Sequence, residues 1–216
     1  MSGTRWGQGK DGDPGLFGKL PPGPHRLPRE LVRENQRRRI LLAALEVFAE
    51  RGFAAATVQD LLRVAHVSRA TFYEIFPDKE TCLAVLHEEV LVWLRQQVAT
   101  EVSGTVGWSA KVQVAVEMTV RLLAEDPRLA VLCAIEAPTG IPRVRTRHDR
   151  VVEELSAALR AGRGESDRRN LPEMLETALI CGAVYMIGRS IVYEQGPSPE
   201  VLEAELPQLM LLPYLG

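Results

Sequence analysis

The side chains between Ser68 and Tyr73 have the types and spacing needed to contact DNA bases. Arg69 can donate two parallel hydrogen bonds to O6 and N7 of guanine, and Ala70 can contact the methyl group of thymine. The hydroxyl of Tyr73 suits a phosphate oxygen. Because Ser68 is a good N-cap, these side chains would lie in the first turns of a short helix. The pattern indicates a helix that reads base edges in the major groove.

Groups suited to the DNA backbone flank this segment. Thr57 offers its hydroxyl together with the free N–H groups at the start of a helix. Lys79, in the first turn of the next predicted helix, is placed to neutralise a phosphate. These two residues are therefore candidate backbone contacts.

An arginine-rich stretch leads into the first predicted helix. It is either a solvated face, balanced in part by Glu30 and Glu34, or an arm that contacts the DNA backbone or minor groove. For Arg37 and Arg38 we favour the DNA contact over the solvated face. The arginines of this stretch are Arg26, Arg29, Arg33, Arg37, Arg38 and Arg39.

Helical periodicity and capping residues predict the elements that position these side chains. Apolar residues recur at helical spacing from Ile40 to Phe48, and Gly52 is expected to end that helix. The pair Thr57 and Asp60 forms a capping-box pattern, and Asp78 can cap a long fourth helix. Between Thr57 and Phe76 there is room only for two short helices and a tight turn. This arrangement is a helix-turn-helix.

The rest of the chain is also predicted to be helical, so the fold is all-α with about nine helices. We expect a flexible tail over residues 1–27, a DNA-binding domain over 28–94 and a second domain over 95–216. The letters of GxGxxG within the tail have no flanking strand or helix and are a chance match. Further helices are expected at about 108–124, 127–136, 143–161, 172–195 and 199–212, with a polar loop at 162–170.

Net charge hides an asymmetry along the chain. The whole sequence carries 26 Lys and Arg against 28 Asp and Glu, a net charge of −2. Residues 26–79 carry ten basic against seven acidic residues, +3, whereas residues 80–216 carry thirteen against nineteen, −6. A basic segment joined to an acidic body is typical of a DNA-binding module attached to another domain.

Several other classes of function find no support in the residues. Neither a catalytic triad nor an HExxH motif is present, so we predict no enzyme activity, no metal site and no cofactor. The three cysteines are sparse and without CxxC pairing, which favours a cytoplasmic protein with reduced thiols. No uninterrupted apolar stretch approaches the roughly 20 residues of a membrane span, so no membrane partner is expected.

Residues 39–80 resemble the N-terminal domain of TetR-family transcriptional regulators. The resemblance lies in the runs from Arg39 to Phe53, Thr57 to Phe76 and Asp78 to Glu80, which together span about 40 residues with fixed spacing. It implies a three-helix DNA-binding domain, a helical ligand-binding domain and a homodimer formed by the last two helices. It adds Val58 to the DNA-contacting candidates and includes Thr57, Arg69, Ala70, Tyr73 and Lys79 among them.

Two positions depart from the family pattern. The turn residue, usually glycine, is His66, which requires a left-handed conformation that histidine tolerates better than most residues. The position before Phe76, often aromatic or histidine, is Ile75.

The resemblance also implies a ligand pocket between the helices that follow. Large or polarisable side chains are the candidates, with ordinary core packing as the alternative for each. Arg121 suits either an anionic ligand or a salt bridge to a neighbouring helix. Apolar stripes on the last two helices fit an internal core or a two-fold interface. The pocket candidates are Trp93, Trp108, Met118, Arg121, Cys133, Met174, Tyr185 and Met186.

The resulting hypothesis is a ligand-responsive repressor that a small molecule releases from a palindromic operator of double-stranded DNA. The alternative is an activator, or a DNA-binding protein of the same fold that needs no ligand. An all-α enzyme is the third possibility, and no convergent acid, base or metal groups support it.

Overall fold

All regular structure in the described part of the chain is helical. The computed structural model describes residues 28–136, 141–164 and 171–215. These ranges contain nine α-helices and no strand, which confirms the predicted all-α fold. The helices are α1 (Arg29–Ala55), α2 (Val58–Ala65), α3 (Arg69–Ile75), α4 (Lys79–Val102), α5 (Trp108–Glu125), α6 (Pro127–Ala130), α7 (Pro142–Arg160), α8 (Leu175–Ile187) and α9 (Pro199–Leu211).

The described residues divide into two compact units between Val90 and Leu91. We call them the N-terminal and the C-terminal unit. Helix α4 runs across the division, so the chain passes from one unit to the other without leaving the helix. The domain boundary expected after residue 94 lies in this same helix.

The N-terminal unit is built on the apolar face of α1. Ile40, Ala44 and Phe48 are almost fully buried there, together with Leu61 of α2 and Phe72 of α3. Burying one such large side chain contributes roughly 1.5–3 kcal/mol, so this shared core fixes how the three helices pack.

Glycine ends the regular part of α1, as predicted. Gly52 has φ 72° and ψ 155°, values that a residue with a Cβ adopts only with strain. The carbonyl of Gly52 accepts a hydrogen bond from the N–H of Ala56 at 3.1 Å. The chain then extends directly into Thr57, the N-cap of α2.

In the C-terminal unit, α5 packs against α9 and α7 packs against α8. Asp126 caps α6 and Pro127 occupies its first turn, as the sequence predicted. The helix then widens into a π-helix over Val131–Glu136. Ser198 caps α9 in the same way that Asp126 caps α6, through a side-chain acceptor followed by proline.

Two expectations about this unit need correction. The helix predicted over 172–195 is shorter, because α8 covers Leu175–Ile187 and continues as a π-helix to Val192. The loop predicted from Gly162 begins instead with a 3-10 helix, Ala161–Gly164. Its remaining residues, 165–170, and the predicted tail, 1–27, lie outside the described residues.

One helical stretch of the C-terminal unit is apolar enough to resemble a membrane span, which the sequence analysis did not predict. Leu175–Val192 spans 18 residues with a mean hydropathy of 1.4, which is long and apolar enough for a membrane span. A core or interface helix of a soluble protein passes the same test. The stretch also contains Glu176, which is fully buried in an ion pair with Arg163, and such a buried pair is typical of a helix packed within a protein.

Candidate nucleic-acid interface

The start of α2 is held by the predicted capping box. The N–H of Asp60 donates to Oγ1 of Thr57 at 3.2 Å, and the N–H of Thr57 donates to Oδ2 of Asp60 at 3.0 Å. Arg51 also donates to Oδ1 of Asp60 at 2.9 Å. The hydrogen bonds from Thr57, assisted by the neighbouring arginines, hold the pKa of Asp60 below its usual value. Thr57 itself is exposed and Val58 half-buried at this helix end.

The turn between α2 and α3 has the left-handed conformation that the sequence required. His66 has φ 51° and ψ 47°, although it carries a Cβ. Nη2 of Arg39 donates to the carbonyl oxygens of Ala65 at 2.5 Å and of His66 at 2.8 Å. A cation at a helix C-terminus is favourable, so Arg39 stabilises the turn that aims α3.

Arg39 is a functional residue that local sequence reasoning did not identify. The sequence places it in the arginine-rich stretch and at the start of the family resemblance, whereas the structure gives it a specific role at the turn. The only signal was a cation 26 residues before the carbonyl that it binds. Such a separation carries no local periodicity, so only the packing of α1 on α2 reveals the contact.

The first turn of α3 presents the proposed base-reading side chains to solvent. Ser68 caps the helix by accepting a hydrogen bond from the N–H of Thr71 at 3.0 Å, as predicted. Ser68, Arg69 and Ala70 are all exposed. Nη2 of Arg69 lies 3.3 Å from Oε1 of Gln59, a neutral partner that it can exchange for a base edge.

Phe72 and Tyr73 divide α3 into an inner and an outer face. Phe72 is fully buried, and Tyr73 is 46% exposed. Their rings pack edge to face with centroids 5.4 Å apart. The buried ring therefore anchors a helix whose neighbouring tyrosine keeps its hydroxyl available to a phosphate.

Lys79 is placed differently from the prediction. Its Nζ donates to the carbonyl oxygens of Phe53 at 2.7 Å and of Ala56 at 2.6 Å, and it lies 4.1 Å from the centroid of the Phe53 ring. Burial lowers the pKa of Lys79. Because the ammonium group already donates to two backbone carbonyls, we expect Lys79 to hold the link between α1 and α2 in place of the predicted phosphate contact.

Arg37 and Arg38 are likewise engaged within the N-terminal unit. Arg37 forms an ion pair with Glu89 of α4, and Arg38 donates to Glu34 at 3.0 Å within α1. The sequence left two hypotheses for the arginine-rich stretch, a solvated face balanced by glutamates and an arm that contacts DNA. For Arg37 and Arg38, these contacts support the solvated face. Arg26 lies outside the described residues.

The predicted pocket residues of the C-terminal unit differ in how far they are buried. Trp93, Trp108, Met118 and Met186 are half-buried. Met174 and Tyr185 are 75% and 63% exposed, because the first precedes α8 and the second lies on its outer face. Neither therefore lines an interior cavity of the single chain. Burial raises the pKa of Cys133 to about 12, so its thiol is unreactive at neutral pH.

Arg121 makes the salt bridge that was one of its two readings. It pairs with Glu203 of α9, and this hydrogen-bonded pair raises the pKa of the guanidinium. The contact ties α5 to α9.

An open groove of about 390 Å³ lies on the outer side of α8 and α9. It is mostly apolar, and several of its side chains are exposed in the single chain, including Leu209 at 49% and Leu212 at 66%. Its lining residues are Met186, Pro197, Val201, Leu202, Glu205, Leu206, Gln208, Leu209 and Leu212. Across the part of the chain that the structure describes, no three His, Cys, Asp or Glu side chains come together as a metal site.

Known proteins match the chain in two ways. Residues 40–86 match the family described as "Bacterial regulatory proteins, tetR family". The HTH-type transcriptional activator FasR of Mycolicibacterium smegmatis is 40% identical over 73 residues, which cover 33% of this chain and 33% of FasR. The chain thus matches about a third of this relative's length.

Solved structures extend the likeness over most of the fold. The fatty acid degradation regulator FadR from Bacillus halodurans superposes with a TM-score of 0.70 at 21% identity, covering 82% of this chain and 94% of that one. FadR from Bacillus subtilis in complex with stearoyl-CoA has a TM-score of 0.67 at 21% identity, covering 80% and 96%. At this level of identity the likeness concerns the fold.

The geometry of α2 and α3 is that of a helix-turn-helix, a DNA-binding motif. Within residues 40–86, which contain this motif, the chain is similar to the tetR family of bacterial regulatory proteins.

Proposed function

We propose that this chain is a cytoplasmic, DNA-binding transcriptional repressor that binds a palindromic operator as a homodimer and is released by a coenzyme A thioester. One observation carries the DNA-binding part of the proposal. Ser68, Arg69, Ala70 and Tyr73 lie exposed on the short helix α3, which a buried Phe72 and a capped turn hold in place. This is the geometry in which a helix enters the major groove.

The homodimer is supported by the outer faces of α8 and α9. Tyr185, Leu209 and Leu212 are each at least 49% exposed, and such apolar side chains at the surface of one chain are typical of an interface. A homodimer would also match the two half-sites of a palindromic operator, which lie about 34 Å apart. The apolar length of α8 is then explained by burial against the partner subunit.

The class of effector is taken from a structural relative. FadR of Bacillus subtilis binds stearoyl-CoA, and its fold covers 80% of this chain. In the C-terminal unit, α5 carries several half-buried apolar side chains, among them Val112, Val116 and Met118, which can contact an acyl chain. We infer that a fatty acyl thioester binds in this unit and shifts the equilibrium away from the DNA-binding state, with the continuous helix α4 as the link.

An activator is the second candidate, because FasR bears that name. The direct test is to recover the genomic DNA bound by the full chain, identify the shared palindrome and measure affinity for it with and without stearoyl-CoA. The proposal predicts that the thioester weakens operator binding by about ten-fold or more. Unchanged affinity would remove the effector from the proposal, and increased expression from the bound promoter would favour the activator.

A further inference from the structure

The first turns of α7 carry a cluster of arginines that the proposed DNA contacts do not use. Residues 142–150 contain four arginines against one aspartate, a net charge of +3. The other residues from 91 to 216 carry nine basic against fifteen acidic side chains, a net charge of −6. The cluster is therefore a basic site on an otherwise acidic unit.

Most of these arginines lack a partner. Within the described part of the chain, Arg143, Arg145 and Arg150 are exposed and form no ion pair. The other arginines described in the C-terminal unit are engaged with carboxylates, with an aromatic ring or in another contact. Arg95, Arg121, Arg128, Arg160 and Arg163 each pair with a carboxylate, and Arg189 lies 5.9 Å from the Tyr185 ring.

The position of the cluster is unfavourable for the free protein. Arg143 and Arg145 lie in the first turn of the 19-residue helix α7, where the helix dipole already presents positive charge. The first turn of α7 contains no acidic residue that would offset this repulsion. An anion placed here would bind both the guanidinium groups and the positive end of the helix.

Helical spacing shows what size of anion fits. Arg143 and Arg150 are seven residues apart, so they lie on one face of α7 and about 10 Å apart along its axis. Arg147, half-buried and already partnered, lies between them on that face. Beyond Arg150 the helix becomes acidic at Glu153 and Glu154, which would repel an extended polyanion such as DNA. The spacing and the charge reversal favour a compact ligand that carries several phosphates.

We infer that Arg143 and Arg150 form a binding site for a polyphosphate group, which in the proposed effector is the nucleotide part of the coenzyme A thioester. The inference rests on the proposed effector class for that identity, and on the unpaired arginines for the anion site itself. The site would hold the charged end of the effector by charge-assisted, bidentate hydrogen bonds at the surface of the C-terminal unit.

The test measures binding of free coenzyme A and of pyrophosphate to the full chain by calorimetry, separately from release of DNA. Arg143→Ala/Arg150→Ala should weaken binding of both probes roughly ten-fold or more and reduce its dependence on salt. Arg143→Lys/Arg150→Lys should recover part of the affinity. Arg29→Ala/Arg33→Ala, which removes the same charge from exposed positions on α1, should have no effect on either probe.

The outcomes separate this inference from the proposed function. If neither probe binds the wild-type chain, or if the alanine variant binds them equally well, the inference is wrong, even when stearoyl-CoA still releases DNA. If the probes bind through these arginines but no thioester releases DNA, the anion site is confirmed and the proposed class of effector is wrong. If the alanine variant loses operator affinity and keeps probe binding, the cluster contacts DNA and the inference is overturned.

Discussion

At the scale of single residues, the helix-turn-helix is held by cations that bind backbone carbonyl groups. Arg39 binds the turn after α2, and Lys79 binds the segment before it. Thr57 and Ser68 satisfy the free N–H groups at the starts of α2 and α3. These contacts fix the backbone, so the exposed Arg69 and Tyr73 project from a rigid support.

Lys79 offers a test of this division between supporting and contacting residues. Lys79→Met keeps most of the apolar stem but removes two hydrogen bonds to buried carbonyls, so we expect a loss of roughly 1–3 kcal/mol in the free energy of unfolding. Operator affinity should keep its wild-type dependence on salt, because no phosphate contact is lost. Urea denaturation and binding at several salt concentrations measure both quantities.

Lys111→Met is the matched control for this substitution, since Lys111 is exposed on α5. It should leave the stability unchanged. The Lys79→Met protein could instead be stable and show a smaller dependence of operator binding on salt. If the slope of the logarithm of the binding constant against the logarithm of salt concentration fell by about one, Lys79 would contact a phosphate.

At the scale of elements, Trp108 at the start of α5 contacts the end of α7 and the residues that follow α9. Its indole N–H donates to the carbonyl oxygen of Ala158 at 3.2 Å. Its ring packs edge to face on the ring of Tyr214, with the two ring centroids 4.9 Å apart. A Cβ added to Gly162 would lie 2.2 Å from the Trp108 ring. Glycine is thus required here by a close approach.

Gly162→Ala should consequently destabilise the protein by roughly 1–3 kcal/mol, because the indole must move to admit the methyl group. Gly164→Ala is the control in the same 3-10 helix, where nothing lies within 4 Å of the added Cβ. Thermal unfolding followed by tryptophan fluorescence compares the two variants. Equal melting temperatures would show that Trp108 does not pack as described.

The buried carboxylate of Glu176 joins α7, α8 and the C-terminus. It accepts hydrogen bonds from Nε of Arg163 at 2.7 Å and from the hydroxyl of Tyr214 at 2.9 Å, and Arg160 lies 3.6 Å away. The hydrogen bond from Arg163 is the main reason that the pKa of Glu176 falls from 4.5 to about 2. The ionised form is therefore favoured by the fold.

A lowered pKa makes this contribution to stability depend on pH. It is fully present above the ordinary pKa of 4.5 and is lost as the pH falls towards 2, where Glu176 is protonated in the folded state. The shift corresponds to a contribution on the order of 3 kcal/mol. Glu176→Gln should be less stable than the wild type at pH 7, and the difference should shrink between pH 4.5 and 2.

Denaturant unfolding across this pH range measures the difference. Glu153→Gln, at an exposed position on α7, is the control and should follow the wild type throughout. A Glu176→Gln protein with the same deficit at pH 2.5 as at pH 7 would contradict the ionised state of Glu176.

Local signals in the sequence predicted most of the N-terminal unit. The caps at Thr57, Ser68 and Asp78 and the left-handed turn at His66 each depend on residues at most four positions apart, so the pattern contains them. The roles of Arg39 and Lys79 depend on partners more than twenty residues away, and no local pattern encodes them.

The C-terminal unit was predicted less closely for a related reason. The π-helical ends of α6 and α8 change the register of the side chains, so a strict helical period misplaces the residues that follow. Tyr185, which lies in α8 before the π-helix, was expected in a pocket because of its size, but it lies on the outer face, and residue type alone does not determine which face of a helix is buried. Whether an apolar stripe faces a core or a partner depends on packing, which periodicity does not contain.

At the scale of the whole molecule, the exposed apolar surface of α8 and α9 predicts association. Leu212→Glu places a charge on this surface at a side chain that is 66% exposed in the single chain. Burying an unpaired carboxylate in an interface is costly, so we expect the variant to be monomeric and to bind the palindrome much more weakly. Sedimentation velocity measures the mass.

Val106→Glu is the control for this change, because Val106 is 91% exposed in the loop after α4. It should remain a dimer. A wild-type chain that sediments as a monomer, or a Leu212→Glu variant that sediments as a dimer, would place the interface elsewhere.

The central claim is that Arg69 reads a base, and its most direct test is the binding of Arg69→Ala to every single-base variant of the operator half-site. The wild type should discriminate at the position facing Arg69, and the variant should lose about 1–3 kcal/mol of discrimination there and keep it elsewhere. Equal losses of affinity at every sequence would contradict the claim and leave Arg69 with a backbone contact only.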